Sequence, residues 1–226
     1  MKYELIGKTV PAVECTLNKG EAMYSQKGGM AWQTEGITMK TNAKGGVMKS
    51  LGRMFSGESI FMNTYTAEVD GAKIAFATTV PGNIVALNIE KHPTGFMLQK
   101  GAFLCAEPGV DIKVAFTKKI SSGFFGGEGF ILQNASGKGT LFLEVDGDPV
   151  IKKLGEGEVI KVDTGNVVGF ESTVKYEVEM VKGIGNVLLG GEGLFLTKLT
   201  GPGKIILQSQ NFGDFAGKVL SIMPKK

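Results

Sequence analysis

The sequence is short of the residues that carry most protein chemistry. It has one histidine, His92, two cysteines, Cys15 and Cys105, and one tryptophan, Trp32, in 226 residues. A single imidazole leaves little material for a catalytic triad or a histidine-rich metal site. Two cysteines exclude a disulfide framework and read as buried thiols in a reducing cytosol. No apolar run approaches the roughly 18 residues of a membrane-spanning helix. Residues 1–8 lack the apolar core and small-residue cleavage site of a secretory signal, which points to a cytoplasmic protein. Charge is close to balance, with 25 Lys+Arg against 22 Asp+Glu and a net +3. That balance, with no basic-aromatic interleaving, does not mark a nucleic-acid binder.

What is abundant is glycine, at 34 residues, about twice ordinary usage. The glycines have no three-residue period, so collagen is excluded. At 42% hydrophobic residues the chain can bury a core rather than remain disordered. Many glycines sit in turn-like contexts: Thr164-Gly165-Asn166, Val145-Asp146-Gly147-Asp148, Val69-Asp70-Gly71 and Gly201-Pro202-Gly203. Between them lie short β-like segments. Val174, Tyr176, Val178 and Met180 alternate with Lys175, Glu177 and Glu179, the period of a half-buried strand. Leu141-Phe142-Leu143 and Ile205-Ile206-Leu207 are continuous apolar runs that suit strands covered on both faces.

An internal repeat organises these pieces. Met54-Phe55-Ser56-Gly57-Glu58-Ser59-Ile60-Phe61 returns as Phe124-Phe125-Gly126-Gly127-Glu128-Gly129-Phe130-Ile131. It returns again as Leu188-Leu189-Gly190-Gly191-Glu192-Gly193-Leu194-Phe195. The glutamates are 70 and 64 residues apart. A second landmark precedes each: Gly28, Gly101 and Gly165 stand 30, 27 and 27 residues before Glu58, Glu128 and Glu192. The chain therefore divides into units at 1–79, 80–147 and 148–210, with a tail at 211–226. The expected fold is all-β, with three tandem β-sandwich repeats around a pseudo-threefold axis and a short C-terminal helix.

Two segments depart from the β rhythm. Val47, Met48, Leu51, Met54 and Phe55 fall on one helical face. In the tail, Phe212, Phe215, Ala216, Val219, Leu220 and Met223 follow helical spacing, with Asn211 as cap and Pro224 as stop. Such a stripe is expected to be buried on the body or on a neighbouring subunit. A membrane-surface helix would carry a more basic polar face.

Glu58, Glu128 and Glu192 are the candidate ligand-binding residues, because three equivalent carboxylates can converge on a cation. The competing reading is that each accepts backbone N–H bonds and fixes its own turn. No catalytic or metal-ligating residue is identified, and no cofactor is implied. Gly137-Lys138-Gly139-Thr140 fails as a phosphate loop, since Leu132 occupies the position of its first glycine. His92, before Pro93, reads as a solvated loop residue, and Trp32 as core.

The stretch Leu51-Gly52-Arg53-Met54-Phe55-Ser56-Gly57-Glu58-Ser59-Ile60-Phe61-Met62-Asn63 and the stretch from Gly190 through Lys204 to Gln208 resemble a known family. They are similar to a prokaryotic family related to the mitochondrial biogenesis factor called altered inheritance of mitochondria. The resemblance implies units like the subunit of the trp RNA-binding attenuation protein, and a tendency to form homo-oligomers. It supplies no catalytic residue. The attenuation protein's basic RNA contacts have no matching motif here. The function expected is a non-enzymatic cytoplasmic scaffold or interaction protein acting as a homo-oligomer. The alternatives are an RNA or small-ligand binder using clefts between units, and a metal-dependent enzyme.

Overall fold

The computed structural model describes residues 1–26, 28–43, 61–118, 130–180 and 195–223. A first strand, β1 (Lys2–Ile6), precedes three successive sets of six strands. The first set is β2 (Ala12–Leu17), β3 (Ala22–Gln26), β4 (Met30–Gln33), β5 (Ile37–Ala43), β6 (Phe61–Ala67) and β7 (Ala72–Ala77). The second is β8 (Gly82–Asn88), β9 (Phe96–Gln99), β10 (Phe103–Ala106), β11 (Val110–Lys118), β12 (Phe130–Gly137) and β13 (Thr140–Asp146). The third is β14 (Pro149–Leu154), β15 (Val159–Asp163), β16 (Val167–Glu171), β17 (Lys175–Met180), β18 (Phe195–Thr200) and β19 (Gly203–Gln208). One helix, α1 (Phe212–Ile222), follows.

The strands form four antiparallel sheets in the orders β1-β2-β7-β4, β5-β6-β3-β10-β13-β8, β11-β12-β9-β16-β19-β14 and β15-β18-β17. In every set the first, sixth and third strands pair in that order, and so do the second, fifth and fourth. The second strand of one set then pairs with the third strand of the next, as β3 with β10 and β9 with β16. The two middle sheets are therefore continuous across neighbouring sets. A β-bulge recurs in the third strand, between Met30 and Trp32, Phe103 and Cys105, and Val167 and Gly169. Among the described residues β4 and β15 each end a sheet, and neither pairs with the other.

Three hydrophobic cores lie between successive sheets. Val13, Cys15 and Phe76 of the first sheet meet Met23, Tyr65 and Phe142 of the second. Leu141 and Leu143 on the other face of that sheet meet Phe96, Leu98 and Ile206 of the third. Leu132, Phe170, Ile205 and Leu207 then meet Val162 and Leu199 of the fourth. This is why Leu141-Phe142-Leu143 and Ile205-Ile206-Leu207 are apolar at every position: adjacent residues enter different cores. The fourth sheet covers one face only. Val174 is buried, while Lys175 and Glu177 are exposed, and Glu179 pairs with Lys161 at 2.8 Å on the wet side. Glycine is required where the chain turns tightly from one sheet into another, as at Gly71 between β6 and β7 and Gly147 between β13 and β14, with φ of 74° and 67°.

Two expectations are corrected. Trp32 is not core: it lies on the terminal strand β4, 44% exposed, with its indole N–H donating to Glu14 Oε2 at 3.1 Å. His92 is not solvated: it is 6% exposed. The helical face read at residues 47–55 lies outside the described residues. The tail helix forms as read, with Asn211 accepting from the Gly213 N–H at 2.9 Å. Its apolar stripe, however, is not covered within the chain. Phe215 is 49%, Leu220 67% and Ile222 82% exposed.

Candidate functional site

Glu58, Glu128 and Glu192 lie outside the described residues. The segments that hold them, 44–60, 119–129 and 181–194, come between β5 and β6, β11 and β12, and β17 and β18. The strand residues on either side are register partners in all three cases: Ala43 with Phe61, Lys118 with Phe130, and Met180 with Phe195.

Other glutamates, which the sequence motif did not single out, do fix turns. Glu107, just past β10, accepts from the Thr140 N–H at 2.6 Å. Glu171, ending β16, accepts from the Lys204 N–H at 2.7 Å. In the first set Thr34 takes the same place, its hydroxyl accepting from the Lys73 N–H at 2.9 Å. Each ties the end of a third strand to the start of a sixth. Glu171 has a second partner. Its Oε1 lies 2.9 Å from His92 Nδ1, and the imidazole also stands edge-on to the Phe96 ring, with centroids 5.3 Å apart. His92 ends a single 3₁₀ turn, Ile89–Lys91, so the loop between β8 and β9 is pinned to the third set. The signal for this was absent locally, because the partner lies 79 residues away.

A cleft on the described surface is a candidate binding site. A half-open cavity of about 590 Å³ lies between the end of β13, the turns after β9 and β15, and the first turn of α1. Glu144, Asp146, Gln99, Gln208, Asn211 and Phe212 supply much of its wall. Its polar groups are largely engaged in holding the corner. Glu144 Oε1 accepts from the Thr79 hydroxyl at 2.8 Å, and Asp146 Oδ2 accepts from the Phe212 N–H at 2.9 Å. Gln208 accepts from the Asp146 N–H at 3.0 Å and donates to the Gly165 carbonyl at 2.8 Å. At Gly165 a Cβ would collide with the capping Asn211, so the helix start needs glycine there. Partial burial pushes the Asp146 carboxyl above its ordinary value, against the lowering effect of the Phe212 N–H.

These groups can bind and position, but they form no nucleophile–base pair. Cys15 and Cys105 are buried in the first core, and burial pushes the Cys15 thiol up to about 12, so it carries almost no thiolate at neutral pH. Among the described residues no group of three or more His, Cys, Asp or Glu is placed to hold a metal ion. Among the same residues no helix is long and apolar enough to cross a membrane.

Three comparisons relate the chain to known proteins. The chain is 33% identical to an uncharacterized protein of Streptococcus pyogenes serotype M6 over 223 residues, 95% of this chain and 87% of that protein. An X-ray crystal structure of a Streptococcus pyogenes protein superposes with a TM-score of 0.81 at 28% identity, covering 98% of this chain and 99% of that one. The family model for mitochondrial biogenesis AIM24 matches residues 3–210, from within β1 to past the end of β19, and the chain belongs to that family.

Proposed function

We propose that this protein is a non-enzymatic scaffold or interaction protein of the cytoplasm that works as a homo-oligomer, built from units at 1–79, 80–147 and 148–210. The observation that carries this reading is the apolar stripe of α1. Phe215, Val219, Leu220 and Ile222 stay exposed side by side on one short helix, outside the three cores. A contiguous uncovered apolar face marks an interaction surface rather than a solvated one. The recurrent pairing order supports the division into units. Free, buried thiols at Cys15 and Cys105 support a reducing compartment. Light scattering tests the reading. The full chain should have a mass that is a multiple of 24.0 kDa, and removal of residues 211–226 should weaken the assembly. A monomeric full chain that sediments with anionic liposomes through α1 would replace this reading with membrane-surface binding.

A further inference from the structure

We infer that the cleft beside α1 binds a small aliphatic diamine, with Glu144 and Asp146 taking its two ammonium groups and α1 covering its hydrocarbon. The two carboxylates stand two residues apart on β13, so both leave the same face of the strand, while Val145 between them is buried in a core. Both line the cavity of about 590 Å³, a volume ordinary for a small-molecule site. At two residues of strand their Cα atoms are roughly 7 Å apart, close to the span of the four methylenes in putrescine.

Each carboxylate is held through one oxygen only. Glu144 Oε1 accepts from the Thr79 N–H and hydroxyl, at 2.5 and 2.8 Å. Asp146 Oδ2 accepts from the Phe212 N–H at 2.9 Å. Among the described residues the second oxygen of each makes no hydrogen bond and no ion pair, and both belong to residues of the cavity wall. Two further acceptors of a cation are therefore already in place and already fixed by their neighbours.

Charge in the cleft points the same way. No lysine, arginine or histidine stands in its wall. The positive end of α1 faces the cleft and would draw an anion, but its leading N–H groups are spent within the chain. Phe212 gives its N–H to Asp146, and Gly213 gives its own to Asn211. Asp214 then adds a negative charge to the same turn. Burial raises the Asp146 carboxyl with no cation beside it to oppose the effect. What the cleft lacks is positive charge. Its apolar part suits methylenes: Val80 and Ala102 lie on the body side, and Phe212 and Ala216 on the helix side.

Titration calorimetry of the full chain tests the site, with putrescine as the probe. Saturable binding in the micromolar to millimolar range is expected, weakening as salt is raised. Butylamine, with one ammonium, should bind about tenfold more weakly or worse, and the uncharged butanediol and inorganic phosphate should not bind. Glu144→Gln and Asp146→Asn keep a hydrogen-bond acceptor and remove the charge, so each should weaken putrescine about tenfold or more. Circular dichroism melting shows that both variants are folded. The site lies within one chain, so binding at any scattering mass supports it, and the homo-oligomer reading stands or falls separately. Absence of binding by putrescine, equal affinity in wild type and both variants, or binding of phosphate in its place overturns the inference.

Discussion

Replacing Glu171 with alanine removes a carboxylate that joins three parts of the chain. One oxygen accepts from the Lys204 N–H at 2.7 Å and the other lies 2.9 Å from His92 Nδ1. The His92 side chain is 5% exposed and that of Glu171 26%, so water can replace the carboxylate only in part. Each lost hydrogen bond to a charged group costs about 1.5–3 kcal/mol when its partner is left buried. Partial hydration lowers the sum, and about 2–4 kcal/mol is expected for the pair. At roughly 2–4 °C per kcal/mol for a chain of this size, the melting temperature should fall by about 5–15 °C. Glu107→Ala is the internal control. It removes the equivalent bond to Thr140 and involves no histidine, so it should cost about 1–2 kcal/mol. A double-mutant cycle between Glu171→Ala and His92→Ala isolates the remaining link, with a coupling of at least about 0.5 kcal/mol. Thermal unfolding followed by circular dichroism measures all of these. If Glu171→Ala melts within a degree of wild type, the clasp contributes nothing and the reasoning fails.

Other consequences are as direct. Native protein at pH 8 should leave both cysteines unreacted with an aromatic disulfide reagent, since Cys15 is pushed up to about 12 by burial; both should react once guanidinium unfolds the chain, and rapid native labelling would refute the packing. Asp146 is raised in the folded state by burial, so the stability it contributes is present below its ordinary value near 3.8 and is lost as pH rises through the folded value. Asp146→Asn should therefore raise the melting temperature at pH 7, with the gain vanishing below about pH 3; an equal gain at both pH values would contradict this. Deleting residues 211–226 should move the melting temperature of the dissociated chain by only about 1–3 °C, because no residue of α1 is buried. A collapse of the fold on deletion would show that the helix is a core element.

The sequence spoke clearly where local pattern and final environment coincide. Alternation from Val174 to Glu179 gave a one-sided strand, and the Leu141 and Ile205 runs gave two-sided ones. Asn211 and the spacing of Phe212, Phe215 and Val219 gave a capped helix. It was silent where environment depends on distant partners. His92 looks like a loop residue until Glu171 arrives from another set of strands. Trp32 sits in a strand-forming stretch, but burial of a strand depends on having neighbours on both sides, and among the described residues β4 has one. The turn-fixing role assigned in principle to a repeated Gly-Glu motif is filled, among the described residues, by Glu107 and Glu171. Their acceptor bonds span 33 residues each, beyond what short-range spacing reveals. The bulges at Ala31, Leu104 and Val168 leave no motif, yet they set the phase that puts neighbouring residues Leu104 and Cys105 in the same core.

The central claim is that a single chain is an incomplete assembly, and the sole tryptophan reports on it. Trp32 lies on the terminal strand β4, 44% exposed, and a neighbouring copy packed on that edge would cover it. Its emission should be followed over a dilution series in parallel with light scattering. The account predicts a mass that is a multiple of 24.0 kDa, with blue-shifted emission that moves red as dilution releases single chains. A constant mass of one chain, with red emission unchanged across the series, would contradict it.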